Sequence, residues 1–207
     1  MTKKLLHVGS GRLNKTHTTE VFNSDEWDEV RLDIDESVNP DIIASLTDMS
    51  AVKSEDYDAV FSHHNIEHLY AYQVPLALNE ISRVLNDDGF LVISCPDLES
   101  VCEKVSEGNL LDTLYVSGLG PITPIDILYG LRSELNKGNH YMAHNSGFTK
   151  DVLHSTIMYN GFKSCLIAQW KPSYVLWGIA YKNKEYTQDE LLIELKKHTT
   201  HTPLKYG

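Results

Sequence analysis

The chain has 207 residues, 42% of them hydrophobic and 23% charged, with a formal net charge of −11 and a pI near 5.3. That is enough for a single domain over residues 1–207 with a real core, and so negative a surface argues against a nucleic-acid partner. The longest apolar run, Tyr174 to Tyr181, is far too short to cross a bilayer, so no membrane partner is expected.

Three scattered cysteines, Cys95, Cys102 and Cys165, lack C-x-x-C spacing, which favours reduced thiols and a cytoplasmic location. The N-terminus runs straight into a strand pattern, without the n-region and h-region of a signal peptide.

In chain order, KKLLHVGSG (Lys3 to Gly11) reads as a short buried strand ending in the turn Gly9-Ser10-Gly11. A strand closed by G-x-G near the start of an α/β unit is a common cradle for a nucleotide-like cofactor, because glycine lets a ligand approach the backbone. The polar stretch Arg12 to Asp25 shows helical character only over Glu20 to Asn23, so a short or distorted first helix is expected. Glu29 to Ile34 reads as the second strand. Asp33 lies 22 positions beyond Gly11 (33 minus 11), where an acid is placed to bond the ribose hydroxyls of an adenosine.

Pro40 to Ala44 is a short third strand and Ser45 to Glu55 a polar loop. Tyr57 to Ser62 is a fourth strand, apolar almost throughout, as a strand buried on both faces should be. Val74, Ala77, Leu78, Ile81, Val84 and Leu85 form the stripe of an amphipathic helix, with Pro75 suited to its first turn. Asn86 to Gly89 reads as a turn, and Phe90 to Cys95 as a fifth strand stopped by Pro96. Strands alternating with helical or loop segments indicate a parallel α/β sheet. Ligands then bind at the carboxyl ends of the strands, where Gly9, Asp33, Ser45 and the residues after Ser62 converge.

Regular patterning weakens over residues 99–147, with breakers at Ser117 to Pro121 and at Pro124, and helical character over Asp126 to Leu135. This stretch, with its polar and aromatic run Asn139 to Asn145, is expected to cover the crevice as a lid that sets acceptor specificity. Thr149 caps a further helix closed by Asn160-Gly161. Phe162 to Gln169 and Tyr174 to Tyr181 suit an antiparallel strand pair. The tail helix opens on the capping box Thr187 to Glu190.

LHVGSG, RLDID, YDAVFSHHNIEHL and NEISRVLNDDGFLVISCPD together resemble the class I S-adenosylmethionine-dependent methyltransferases, in their type 11 group with LNxGSG-like and SHxxEHL-like motifs. The resemblance covers about residues 4 to 98. It implies a Rossmann-like three-layer sandwich whose seven-stranded, mostly parallel sheet has the order 3-2-1-4-5-7-6, the last strand antiparallel. It implies S-adenosyl-L-methionine as cofactor, S-adenosyl-L-homocysteine as product, and methyl transfer to an O or N nucleophile of a small-molecule acceptor, such as a sugar or other metabolite, by a monomer or homodimer. Gly9, Ser10 and Gly11 match the motif under the methionine moiety, Asp33 the ribose-binding acid, and Ile34 the position beside the adenine. Ser45 and Leu46 match the adenine-facing pair; Ser45 replaces the usual acid there, and Asp48, three residues on, is the acid left for the adenine amino group. Ser62 and His63 match the strand end next to the sulfonium, and His64 faces the acceptor. His7 stands where many relatives carry an acid, and the third glycine of the first motif is absent. These departures leave open a second reading, a catalytically silent binding or partner protein on the same fold.

His64 to His68 also spells H-x-x-E-H, a zinc-hydrolase pattern with glutamate as general base. Those enzymes need a third ligand on a distant helix in a much larger fold, and a five-residue pattern arises readily by chance, so no metal site is expected, and Glu67 and His68 are read as bracing the helix start. His64 and then His144 are the candidate bases, since imidazole titrates near neutral pH; His140 is a third histidine in that region.

Overall fold

The computed structural model of the chain describes residues 2–199. The main sheet is built from β1 (Lys3–Val8), β2 (Trp27–Asp33), β3 (Ile42–Ile43), β4 (Tyr57–His63) and β5 (Leu85–Pro96), followed late in the chain by β8 (Ser164–Trp170) and β9 (Val175–Tyr181). Their spatial order is β3-β2-β1-β4-β5-β9-β8. Counted within this sheet alone, that is the expected 3-2-1-4-5-7-6. Strand β9 runs antiparallel to both neighbours and the other pairs are parallel.

Burial explains the composition of the strands. All seven residues of β9, VLWGIAY, are buried, the near-continuous apolar run of a strand covered on both faces. On one face lies α1 (Val74–Val84), whose Val74, Ala77, Leu78, Ile81 and Val84 point inward. It shares a core with Leu153 and Ile157 of α5 (Lys150–Tyr159). Pro75 occupies the first turn of α1, and the Thr149 side chain accepts from Val152 N–H to cap α5. The opposite face is covered by α6 (Gln188–Thr199) through Leu191 and Leu195.

The short first helix has a packing explanation. Residues Glu20 to Asn23 form a single turn instead of a helix. Phe22, with no solvent exposure, takes the place of a helix face: it stands edge-on to Trp27 at 5.0 Å and beside His198 of α6 at 4.9 Å. The C-terminal helix therefore closes the side that the first crossover leaves open.

Three expectations are corrected. Asn86 to Gly89 is not a turn before β5. The strand begins at Leu85, opposite Tyr57, and the next pairing of this stretch is Ala59 with Phe90, so the four residues bulge within the strand. The third strand is only Ile42–Ile43. Residues 99–147 are more regular than the sequence suggested. They contribute most of α2 (Leu98–Ser106), the hairpin β6 (Tyr115–Ser117) and β7 (Gly120–Ile122), α3 (Pro124–Tyr129) and α4 (Arg132–Leu135). Gly130, at φ +100°, separates α3 from α4, because a side chain there would meet the Met142 carbonyl oxygen at 2.0 Å. Among the described residues no helix is long and apolar enough to cross a membrane.

His198 gives a pH test of the α6 docking. Its Nδ1 bonds the Thr19 hydroxyl at 2.9 Å, and burial, with Lys197 nearby, holds its pKa down at about 4 from an ordinary 6.5. As pH falls from 6.5 the unfolded chain takes up this proton before the folded chain does, so stability is lost progressively toward pH 4. At about 1.4 kcal/mol per pH unit the loss approaches ~3 kcal/mol. Urea unfolding near neutral and near pH 4.5 should therefore show the wild type losing about 2–3 kcal/mol more than His198→Gln over that interval. Parallel pH profiles for the two proteins would contradict the assignment.

Candidate functional site

The carboxyl ends of β1, β2 and β4 meet at the glycine turn. Gly9 and Gly11 both hold positive φ, +61° and +54°, values that suit glycine. They are not equivalent in space. A Cβ on Gly9 would meet the Asn65 side chain at 2.4 Å, whereas one on Gly11 would meet nothing within 4 Å. Asn65 thus packs under the turn while Gly11 leaves its backbone open to a ligand.

Asp33 ties this turn to the next strand. Its carboxylate accepts from Gly11 N–H at 2.7 Å and from Asp35 N–H at 2.9 Å, one bond to each oxygen. Each oxygen keeps further acceptor capacity. Gly9 N–H, in turn, donates to the Leu32 carbonyl at 2.8 Å.

Two cavities flank the turn. The smaller, about 380 Å³, is lined by Gly9, Gly11, Asp33, Ile34, Ser45 and Leu46, and by residues 139–142 and Asn145. The larger, about 490 Å³, takes in Ser10, His63, Glu67, Tyr115, His144 and Tyr174 among others. Gly9, Gly11, His64, His68, Asn139 and Met142 line both. Both volumes lie in the roughly 300–1,000 Å³ range of small-molecule sites.

Most residues expected from the sequence arrive here, and two do not. Asp48 lines neither cavity: Ser45 and Asp48 close a tight bridge, and the exposed Asp48 carboxylate accepts from Ser50 N–H at 3.1 Å. Ser62 also lines neither, because it sits within the sheet between Val8 and Ile93 with no exposure. His63 reaches the larger cavity from a stack with Phe61 and Trp177 and bonds the Ser94 hydroxyl. Burial pushes its pKa well down, helped by His64 and His7, so it is neutral at physiological pH. His7, at the position usual for an acid, bonds Glu29 Oε1 across β1 and β2 at 2.8 Å.

The H-x-x-E-H pattern does not form a helical ligand pair. His64 holds φ +47° and stands outside the single 3-10 turn Ile66–His68. Its Nδ1 donates to Glu67 Oε1 at 3.1 Å. Glu67 is 1% exposed. Burial alone would raise its pKa, but the bond from His64 and the charges of His64, His68 and His144 outweigh it and leave the carboxyl low. His144 Nδ1–H donates to the Ile127 carbonyl at 2.6 Å, and burial lowers the pKa of the ring. His140 lines the smaller cavity. Sequence reasoning did not find Asn65, Tyr174 or the meeting of Glu67 and His68 with His144. The last pairing spans 76 positions (144 minus 68) and leaves no local pattern to read.

Residues 7–93 match the methyltransferase domain family. Among solved structures, the chain is similar to the PH0226 protein of Pyrococcus horikoshii, with TM-score 0.61 and 13% identity over 88% of this chain and 82% of that one. It is also similar to the 1,6-didemethyltoxoflavin-N1-methyltransferase of Burkholderia thailandensis, solved with 1,6-didemethyltoxoflavin and S-adenosylhomocysteine bound. There the TM-score is 0.55, with 15% identity over 88% of this chain and 72% of that one. A SAM-dependent methyltransferase of Thermotoga maritima gives TM-score 0.53 and 14% identity over 88% and 83% of the two chains. No curated protein gives a significant sequence match.

The two glycines predict different mutational costs. Gly11→Ala should lose about 1–2 kcal/mol, from the left-handed backbone alone. Gly9→Ala adds the collision with Asn65 and should cost at least about 1 kcal/mol more. Denaturant unfolding of the two variants measures the difference, and equal costs would contradict the packing of Asn65 under the turn.

Proposed function

We propose that the chain, whose residues 7–93 match the methyltransferase domain family and whose sheet has the order 3-2-1-4-5-7-6, is an S-adenosylmethionine-dependent methyltransferase that methylates an oxygen or nitrogen of a small molecule. The observation that carries this reading is the pair of cavities meeting at Gly9, Gly11 and His64.

The smaller cavity has the chemistry for S-adenosylmethionine. Asp33 offers carboxylate lone pairs to two ribose hydroxyls, Gly11 leaves its backbone open, and Ile34 and Leu46 give apolar flanks for an adenine. Among the described residues no lysine or arginine lines it, which suits a cofactor without phosphates. When bound, the cofactor supplies an electrophilic methyl group on a sulfonium.

The larger cavity is the acceptor compartment in this reading. Displacement at a methyl group asks for in-line placement of the nucleophile and exclusion of water. Residues 99–147 contribute Tyr115, Ile122, Ile127 and Met142 to its wall, which supports their role as the segment that closes over the acceptor and sets its identity. His64, on both cavities, is the first acceptor-facing group. His144 is the second: with Nδ1–H committed to a carbonyl, its Nε2 lone pair can meet the proton of a hydroxyl or amine.

Calorimetric titration with S-adenosylhomocysteine tests the assignment. Two hydrogen bonds to a charged group are each worth about 1.5–3 kcal/mol, so Asp33→Ala should weaken binding by roughly 100-fold or more. Undiminished binding by a folded Asp33→Ala protein would remove the ribose role and with it the placement of the cofactor.

A further inference from the structure

We propose that Glu67, His68 and His144 form a binding site for a single divalent transition-metal ion of the zinc or cobalt kind, on the wall of the larger cavity. The three side chains each present one ligand atom, and these atoms lie within 4.8 Å of one another. Two imidazoles and one carboxylate form a donor set suited to such ions, and leave further coordination positions open. Metal–ligand bonds near 2.0–2.2 Å put two donors at most about 4.4 Å apart. Three donors of one tetrahedral ion lie about 3.3–3.6 Å apart at those bond lengths, so side chains up to 4.8 Å apart close in by at most about 1.5 Å on binding.

The hydrogen bonds around the cluster prepare it for a cation. His68 Nδ1 bonds the Ala143 carbonyl at 3.0 Å and His144 Nδ1 the Ile127 carbonyl at 2.6 Å. A carbonyl only accepts, so both Nδ1 atoms carry the hydrogen, and in the neutral form of either ring the lone pair left for a metal is on Nε2. Metal-ligating histidines are oriented by this kind of backbone partner. Glu67 Oε1 takes its bond from His64, but Oε2 is buried with no hydrogen-bond partner. Buried polar atoms are seldom left so. A cation answers that orphaned oxygen and the two imidazole lone pairs together, which a hydrogen bond among three acceptors cannot do.

The site is also held together across a long sequence gap. Asn145 N–H and Ser146 N–H both donate to the Glu67 carbonyl, at 2.9 and 3.1 Å, and Asn145 Nδ2 donates to the His68 carbonyl at 2.8 Å. These bonds fasten the strand of chain bearing His144 onto the turn bearing Glu67 and His68. All three ligands line the larger cavity, so an ion enters from there and turns its open positions toward the cavity's occupant. His144 then gives its lone pair to the ion instead of to an acceptor proton. The ligand set differs from the H-x-x-E-H reading: Glu67 is a ligand, not a base, and His64 supports it.

The test uses chelator-stripped full-length protein titrated with CoCl₂, followed by visible ligand-field absorption, and with ZnCl₂ by calorimetry. The wild type should bind one equivalent of each ion saturably. Glu67→Gln, His68→Ala and His144→Ala should each weaken binding by at least tenfold, and His154→Ala, on α5 and outside both cavities, should leave it unchanged. Should Glu67→Gln fail to fold, as judged by its circular dichroism melt, the His144→Gln variant, altered in a partly exposed ring, carries the same expectation. Absence of saturable binding by the wild type, or equal binding by the folded ligand variants, overturns the site. S-adenosylhomocysteine affinity measured on the same stripped protein keeps the outcomes apart. Its binding without cobalt binding overturns the metal site alone, and cobalt binding without it supports the metal site while removing the cofactor placement.

Discussion

One carboxylate organises the functional end of this sheet. Asp33 bonds Gly11 N–H and Asp35 N–H with its two oxygens, and so fixes the end of β2 against the turn that leaves β1. A charge-assisted bond to a backbone N–H is among the stronger hydrogen bonds available to a protein. At Gly9 the turn is also held by the Leu32 carbonyl and by Asn65, but at Gly11, which has no side chain and open surroundings, the Asp33 carboxylate is the contact that fixes the backbone. Fixing it defines the wall shared by the two cavities. In the proposed reading the same acid is offered to the ribose, so that scaffold and ligand contact would meet in a single side chain.

The fold follows from ordinary forces arranged around that end. Strands β1, β4, β5 and β9 have their core residues buried on both faces, with α1 and α5 on one side and α6 with Phe22 on the other. Where the first crossover is too short to supply a helix, an aromatic cluster and the C-terminal helix complete the layer. The glycine turn therefore sits on a sheet covered on both sides, although its own loop is irregular.

The features legible in the sequence were those with a short period or a local rule. The stripe from Val74 to Val84, the apolar runs at Tyr57 and Val175, the cap at Thr149 and the Gly11-to-Asp33 spacing all stand in the structure close to where the pattern put them. Features that depend on chain segments far apart were not legible. Asn65 packs under Gly9 across 56 positions (65 minus 9). The four-residue bulge at Asn86 to Gly89 looked like a turn, because strand register is set by the partner strand and not by composition. The placement of His144 beside His68 depends on backbone and side-chain hydrogen bonds between residues 143–146 and residues 66–68. Asp48 looked available from its spacing alone, yet local turn chemistry engages its carboxylate first.

In the proposed reading the glycine turn separates a cofactor compartment from an acceptor compartment. A crystal structure of the S-adenosylhomocysteine complex tests it most directly. The ribose hydroxyls are expected on the Asp33 carboxylate, the adenine between Ile34 and Leu46, and the sulfur at the junction of the two cavities near Gly9 and His64. A ligand seated elsewhere, or one whose sulfur points away from the larger cavity, would contradict it.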